Sequence, residues 1–406
     1  MRRLGTISRG VAAAAALALV AAACGSDSNS SSDTTAAGAA TTAAPSGSTA
    51  TGGSEAPEIT TGVLKPVKLQ LQWFTQAQFA GYFAALEKGF YRDEGLDVQI
   101  LEGGVDIVPQ TVLAQGQADY AIAWVPKALA SREQGAQITD VAQVFARSGT
   151  LQVSFKDKGI SSPSDLKGKK VGNWGFGNEY ELFAGMTEAG LDPAKDVTLV
   201  QQQFDMQALL KRDIDAAQAM DYNEYAQVLE AKNPATGKLY QPGDFTTINW
   251  NDVGTAMLQD AIWADTSKLE GDQAYQDTTV KFLTAALKGW VFCRDNPEKC
   301  RDIVVARGSK LGKSHQLWQM NEINQLIWPS GSKIGLVDQS AWNQTVDIAQ
   351  KTKNAEGATV LTKAPEGTAY TNEYVQKALD KLAAEGVDVT GASYKPETVT
   401  LNEGGA

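Results

Sequence analysis

A single histidine, His315, and three cysteines in 406 residues leave little material for metal or nucleophile chemistry. A structural zinc site needs four nitrogen or sulfur ligands. The acidic residues are dispersed and form no aspartate cluster of the calcium-loop kind. No G-x-S-x-G, H-E-x-x-H or P-loop pattern occurs. Basic surface is also scarce: 36 Lys and Arg stand against 47 Asp and Glu, a net charge of −11. That balance argues against a nucleic-acid partner, which needs phosphate-neutralising charge. The apolar run VAAAAALALVAAA, residues 11–23, is shorter than the roughly 20 residues of a spanning helix. The sequence therefore gives no reason to expect a catalytic residue, a cofactor or a metal.

The two ends of that run carry information of their own. Arg2, Arg3 and Arg9 precede it and Ala21-Ala22-Ala23 closes it, the charged, apolar, small-residue order of a secretory signal over residues 1–23. Cys24 and Gly25 follow at once and resemble the lipobox of bacterial lipoproteins, so lipid attachment to Cys24 and a membrane-anchored, extracytoplasmic location are expected. Ala21 stands where lipoboxes usually carry Leu, and a plain secretory signal is the alternative. Residues 24–63 are almost wholly Ser, Thr, Ala, Gly and Pro and cannot bury enough apolar surface to order themselves, which reads as a tether. Cys293 and Cys300, outside the cytoplasm, are most simply a disulfide closing a short loop.

The remaining chain alternates strand and helix patterns. VKLQLQW (67–73), LDVQIL (96–101), DYAIAW (119–124) and ITDVAQVF (138–145) read as strands, with helices near 107–116 and 126–134 between them. After an extended segment, GTLQVSFK (149–156), a second series begins with KKVGNW and runs through VTLVQQQ (197–203) and DAAQAM (215–220). GTAMLQDAIWA (254–264) suits a strand that returns to the first series. The order implies an α/β fold in two lobes, with largely parallel sheets and two crossing segments. Residues 64–148 and 256–395 are expected to make lobe one with its C-terminal helices, and 149–255 lobe two.

Several stretches in order, LQWFTQAQFAGYFAALEKGFYRDEGLDVQI, LAQGQADYAIAW, SSPSDLKGKKVGNWGFGNEYEL and MDYNEYAQ, resemble ABC-transporter substrate-binding proteins of the thiamine-precursor and aliphatic-sulfonate group. The resemblance covers residues 65 to about 350. It implies a type II-like periplasmic-binding-protein fold, a monomer with a small-molecule ligand in its cleft, and an ABC permease and ATPase as partners. Within the group the chain is most similar to members thought to take up thiamine pyrimidine precursors or a flavin-like ring. A related branch makes the thiamine pyrimidine from pyridoxal phosphate with an active-site histidine and a cysteine-rich iron motif. This chain lacks the cysteine cluster, and His315 lies outside the segments expected to line the cleft.

Ligands reach open α/β sheets at strand ends. Lobe one offers Trp73, Gln76, Gln78, Phe79, Tyr82 and Trp124 there; lobe two offers Trp174, Phe176, Gly177, Asn178, Glu179, Tyr222, Asn223 and Glu224. Aromatic faces can sandwich a heteroaromatic ring while amides and carboxylates meet its nitrogens and amines. Packing in the core is the competing use for Trp73, Phe79 and Trp124. Lys127, on the first turn of a helix, is expected to be solvated. The glycine run VGNWGFGNEYELF (171–183) poses a choice between an anion cradle and a wall of the slot. Its spacing is not a dinucleotide fingerprint and Glu179 would repel an anion, so the wall is the expectation.

Overall fold

The computed structural model describes residues 63–329, 331 and 333–406; the expected signal, Cys24 and most of the tether lie outside the described residues. Among the described residues ten strands form two sheets of five. β1 (Lys65–Gln70), β2 (Leu96–Leu101), β3 (Tyr120–Trp124), β4 (Ile138–Gln143) and β10 (Asp260–Asp265) make the first, in the order β2-β1-β3-β10-β4. β5 (Thr150–Phe155), β6 (Lys170–Asn173), β7 (Thr198–Gln201), β8 (Ala216–Met220) and β9 (Phe245–Asn249) make the second, in the order β7-β6-β8-β5-β9.

The two orders are the same pattern. Each sheet carries one strand antiparallel to both its neighbours, β10 between β3 and β4, and β5 between β8 and β9. Both are the first strand after the chain crosses from one half to the other. Each half therefore encloses a strand delivered by a crossing. β3, β4, β5, β8 and β10 are buried almost throughout, which explains their near-continuous apolar or small-residue sequences. β1 ends at Gln70, earlier than the expected 73, so Trp73 lies in the loop beyond the strand. β9 was not anticipated: Phe245–Asn249 buries only Phe245 and Ile248 and carries two Thr and an Asn, a weak apolar signal.

The crossings are stitched together by buried polar side chains. Gln259 accepts from the Gly149 N–H at 2.9 Å and donates to Ser148 Oγ at 3.0 Å and Thr150 Oγ1 at 2.7 Å. Glu181, on helix Tyr180–Glu188, accepts from Ser148 Oγ at 2.9 Å and from the Met257 N–H at 2.6 Å, so one carboxyl holds both crossings.

The C-terminal helices pack on the first half. Helix Gln273–Asp295 crosses helix Ala80–Glu87 so closely that a Cβ on Gly289 would stand 2.1 Å from the Gly81 carbonyl oxygen. Glycine at that contact is a packing requirement. Cys293 and Cys300 are joined as a disulfide between this helix and helix Pro297–Ala306, their Cα atoms 5.4 Å apart. The chain then runs back toward the second half. The Glu397 N–H donates to Asn321 Oδ1 at 2.7 Å, Leu401 packs into the second half's core, Lys232 pairs with Glu403 at 2.6 Å, and the Gly404 N–H reaches the Glu230 carbonyl at 3.2 Å. This strap is a third passage between halves, beyond the two crossings expected.

Candidate functional site

The C-terminal ends of β1 and β3 and the start of β10 meet the corresponding ends of β6 and β8 across a cleft of about 710 Å³. Of the expected site residues, Trp73, Gln76, Gln78, Trp124, Trp174, Phe176, Gly177, Asn178, Tyr222, Asn223 and Glu224 line it. Phe79, Tyr82 and Glu179 do not, and are corrections. Phe79 and Tyr82 point inward from the opening turns of their helix; Phe79 is fully buried and Tyr82 packs edge-on against Trp290 at 5.5 Å. Helical rotation carries them away from the strand ends that a sequence position alone suggested. Glu179 folds back into its own loop, where a carboxylate oxygen accepts from the Gly177 N–H at 3.0 Å.

The backbone of the glycine loop bears on the choice posed by its sequence. Gly175, Phe176 and Gly177 are all left-handed, with φ of 69°, 54° and 84°. The Gly175 N–H is taken by Asn173 Oδ1 at 3.0 Å, the Asn178 N–H by the Gly175 carbonyl at 3.0 Å, and the Gly177 N–H by Glu179. Three donors that an anion cradle would present are thus consumed within the loop. Phe176 is left 80% exposed at the cleft mouth. Phe74, Val105, Ile107, Val108 and Phe204 stand at or beside the same opening; with Phe176 they are all the exposed large hydrophobic side chains among the described residues except Val63.

Among the residues at the cleft that escaped the sequence reading, four carry the most information: Gln72, Phe204 and Lys127 line it, and Asp260 is buried directly behind it. Asp260 is the most informative. Its carboxylate accepts from Gln72 Nε2 at 2.5 Å, Trp124 Nε1 at 2.8 Å and Gln78 Nε2 at 2.9 Å, which orients three cleft-lining side chains at once. Burial pushes its carboxyl up to about 6, against the pull of those donors. The start of β10 stands directly behind the cleft because that strand runs antiparallel, a direction that strand patterning does not reveal. Gln72 follows β1 on the face opposite to the one emphasised in LQLQW. Phe204, in the loop after β7, stands between the halves: its ring centroid is 4.9 Å from Trp73 and 6.1 Å from Trp174, nearly parallel to the latter. The strand-end rule applied to β7 would have found it.

Lys127 is the fourth. Helix Val125–Glu133 starts directly at the end of β3, so its first turn borders the cleft and the expectation of a solvated lysine fails. The Lys127 amine donates to Asn178 Oδ1 at 2.7 Å, from one wall to the other, and lies 5.0 Å over the Trp124 ring. Burial lowers it to about 8, with Glu179 and Asp260 opposing. His315 is not among the residues that line the cleft. Although distant in sequence, its imidazole touches Asn223 from behind the cleft. Among the described residues no cluster of three His, Cys, Asp or Glu side chains could hold a metal ion, and no helix is long and apolar enough to cross a membrane.

Two α/β halves, each completed by a strand from a crossing, around a cleft lined by aromatics and hydrogen-bonding side chains, define the periplasmic binding protein fold. A solved sulfonate-binding protein of Methylobacillus flagellatus KT superposes with a TM-score of 0.55 over 84% of this chain and 99% of its own, at 18% identity. The chain belongs to the NMT1/THI5-like family, whose profile matches residues 76–300, more than half its length. It is 25% identical to a formylaminopyrimidine-binding protein of Halalkalibacterium halodurans over 60% of this chain and 70% of that one. It is likewise 25% identical to a riboflavin-binding protein of Chloroflexus aurantiacus over 77% and 86%. A shorter match, 27% identical over 39% of this chain and 46% of the other, is to a 4-amino-5-hydroxymethyl-2-methylpyrimidine phosphate synthase of Aspergillus parasiticus.

Proposed function

We propose that the chain is the extracytoplasmic solute-binding component of an ABC-type importer, capturing a small heteroaromatic nutrient of the thiamine-pyrimidine or flavin type and passing it to a permease and its ATPase. The observation that carries this reading is the composition of the cleft. Trp73, Phe204 and Trp174 offer ring faces, while Asn223 and Glu224 offer edges that pair with ring amines. Residues 64–148 and 256–395 act as one lobe and 149–255 as the other. The ligand engages one wall first, and closure adds the contacts of the second, shifting an open-closed equilibrium that the transporter reads. The protein works as a monomer held at the membrane by lipid on Cys24. Thermal shifts with riboflavin, formylaminopyrimidine, 4-amino-5-hydroxymethyl-2-methylpyrimidine and an alkyl sulfonate test the reading. A ring compound at ~100 times its Kd stabilises by about 2.7 kcal/mol. A response to the sulfonate alone would overturn it.

Lys127 supports a second reading, a synthase-like enzyme acting with pyridoxal phosphate and iron, because a lysine amine lowered to about 8 beside a ring slot is a competent nucleophile. Against it stand the missing cysteine-rich stretch and the position of His315 behind Asn223, outside the cleft lining. Consumption of pyridoxal phosphate in the presence of iron would favour this second reading over the first.

A further inference from the structure

Behind the cleft, four buried side chains stand in one line. Asn223 and Glu224 open helix Glu224–Leu229 at the end of β8, Glu230 follows that helix, and His315 comes from the first turn of helix Lys313–Ile327. His315 Nδ1 lies 2.8 Å from Glu230 Oε1, and His315 Nε2 lies 2.9 Å from Asn223 Oδ1. Asn223 Nδ2 donates to Glu224 Oε1 at 2.8 Å, and the Met220 N–H donates to Glu224 Oε2 at 3.0 Å. None of the four side-chain-bearing residues is more than 8% exposed, so water does not compete for these contacts.

The direction of donation along this line follows from its end. An asparagine amide has an acceptor at one side and a donor at the other. Turned the opposite way, Asn223 would set its oxygen against a Glu224 carboxylate oxygen, two acceptors in contact. An ionised Glu224 therefore requires Nδ2 toward itself, Oδ1 toward the histidine, and a proton on His315 Nε2. Each Glu224 oxygen then has one protein donor and keeps acceptor capacity for the cleft that Glu224 lines.

We infer that His315 is a positioning residue for ligand selection: through its Nε2–H it fixes the Asn223 amide and holds Glu224 as an acceptor edge, so the site takes rings whose facing edge carries amine or N–H donors and rejects oxo-edged counterparts. By the same argument Nδ1 also carries a proton, donated to Glu230 Oε1, which holds the ring from the far side. The ligand class rests on the function proposed above, while the hydrogen-bond line does not.

His315 is the only histidine of the chain, so its imidazole signals in untagged full-length protein need no assignment. Nitrogen-proton correlation spectra at neutral pH are expected to show a protonated, slowly exchanging Nε2 that shifts in the Glu224→Gln variant. A lone pair on Nε2 would overturn the inference. Binding is then compared for 4-amino-5-hydroxymethyl-2-methylpyrimidine and its 4-oxo counterpart. A preference for the amine of about tenfold or more is expected in the native protein, largely lost in His315→Leu and partly restored in His315→Gln, whose amide can donate to Asn223. An undiminished preference in His315→Leu would also overturn it. If the native protein binds neither compound nor riboflavin, the proposed function fails, and the imidazole spectrum still decides the line of hydrogen bonds.

Discussion

The two walls of the cleft are built on opposite terms. On the first, Asp260 gathers Gln72, Gln78 and Trp124 into one buried, hydrogen-bonded arrangement. On the second, three successive left-handed residues carry an exposed phenylalanine at the cleft mouth, and Phe204 leans out toward Trp73. A wall whose polar groups already satisfy one another presents a fixed template. A wall with exposed apolar rings gains most from being covered, which suits it to closing over what the template has received.

The largest expected effect strikes the first wall. Asp260→Ala leaves three buried donors without their acceptor and should cost ~3 kcal/mol in urea denaturation, together with loss of ligand affinity. An unchanged midpoint would mean that the first wall is no more prearranged than the second.

Acidity gives a second handle on the same residue. Burial raises the Asp260 carboxyl to about 6, so the folded state keeps a proton that the unfolded chain has released. Between the ordinary aspartate value of 3.8 and about 6, this group's contribution to stability falls as pH rises. Denaturation of the native protein and Asp260→Asn across that window should show the variant gaining on the native protein with rising pH, by roughly 2 kcal/mol. Parallel curves would place the proton elsewhere.

The second wall should respond in the reverse sense. Phe176→Gly relieves a left-handed phenylalanine, an advantage of ~1 kcal/mol that the extra freedom of glycine in the unfolded chain roughly offsets. Stability stays within ~0.5 kcal/mol while riboflavin titration reports weaker binding. A large stability loss would show that the loop is part of the template after all. The last prediction concerns the contact between walls. Lys127→Met removes the donor to Asn178 and should change stability by less than ~1 kcal/mol, with a small rise in the radius of gyration by X-ray scattering. No change in dimension would mean the bond does not hold the walls together.

Much of this comparison was legible in the sequence, unevenly. The alternation of strand and helix gave two halves, and aromatics and amides at strand ends gave eleven of the thirty lining residues, because both signals are local. Asp260 was not legible, since its role depends on a strand running antiparallel after a crossing 188 residues from Gln72 in the chain. Tyr82 and Phe79 misled because helical phase decides which side faces the cleft, and a turn of a third of a circle sends them to the core. Lys127 was judged by residue type, which describes an average lysine on a surface helix. This helix begins at the cleft.

The strap from Glu397 to Gly404 also matters for handling the protein. It anchors residues 401–404 to the second half, through Leu401, the Lys232–Glu403 pair and the Gly404 N–H. Labels or substitutions within residues 397–404 would load that anchorage directly, so measurements of opening are better made with labels placed on the outer faces of the two sheets.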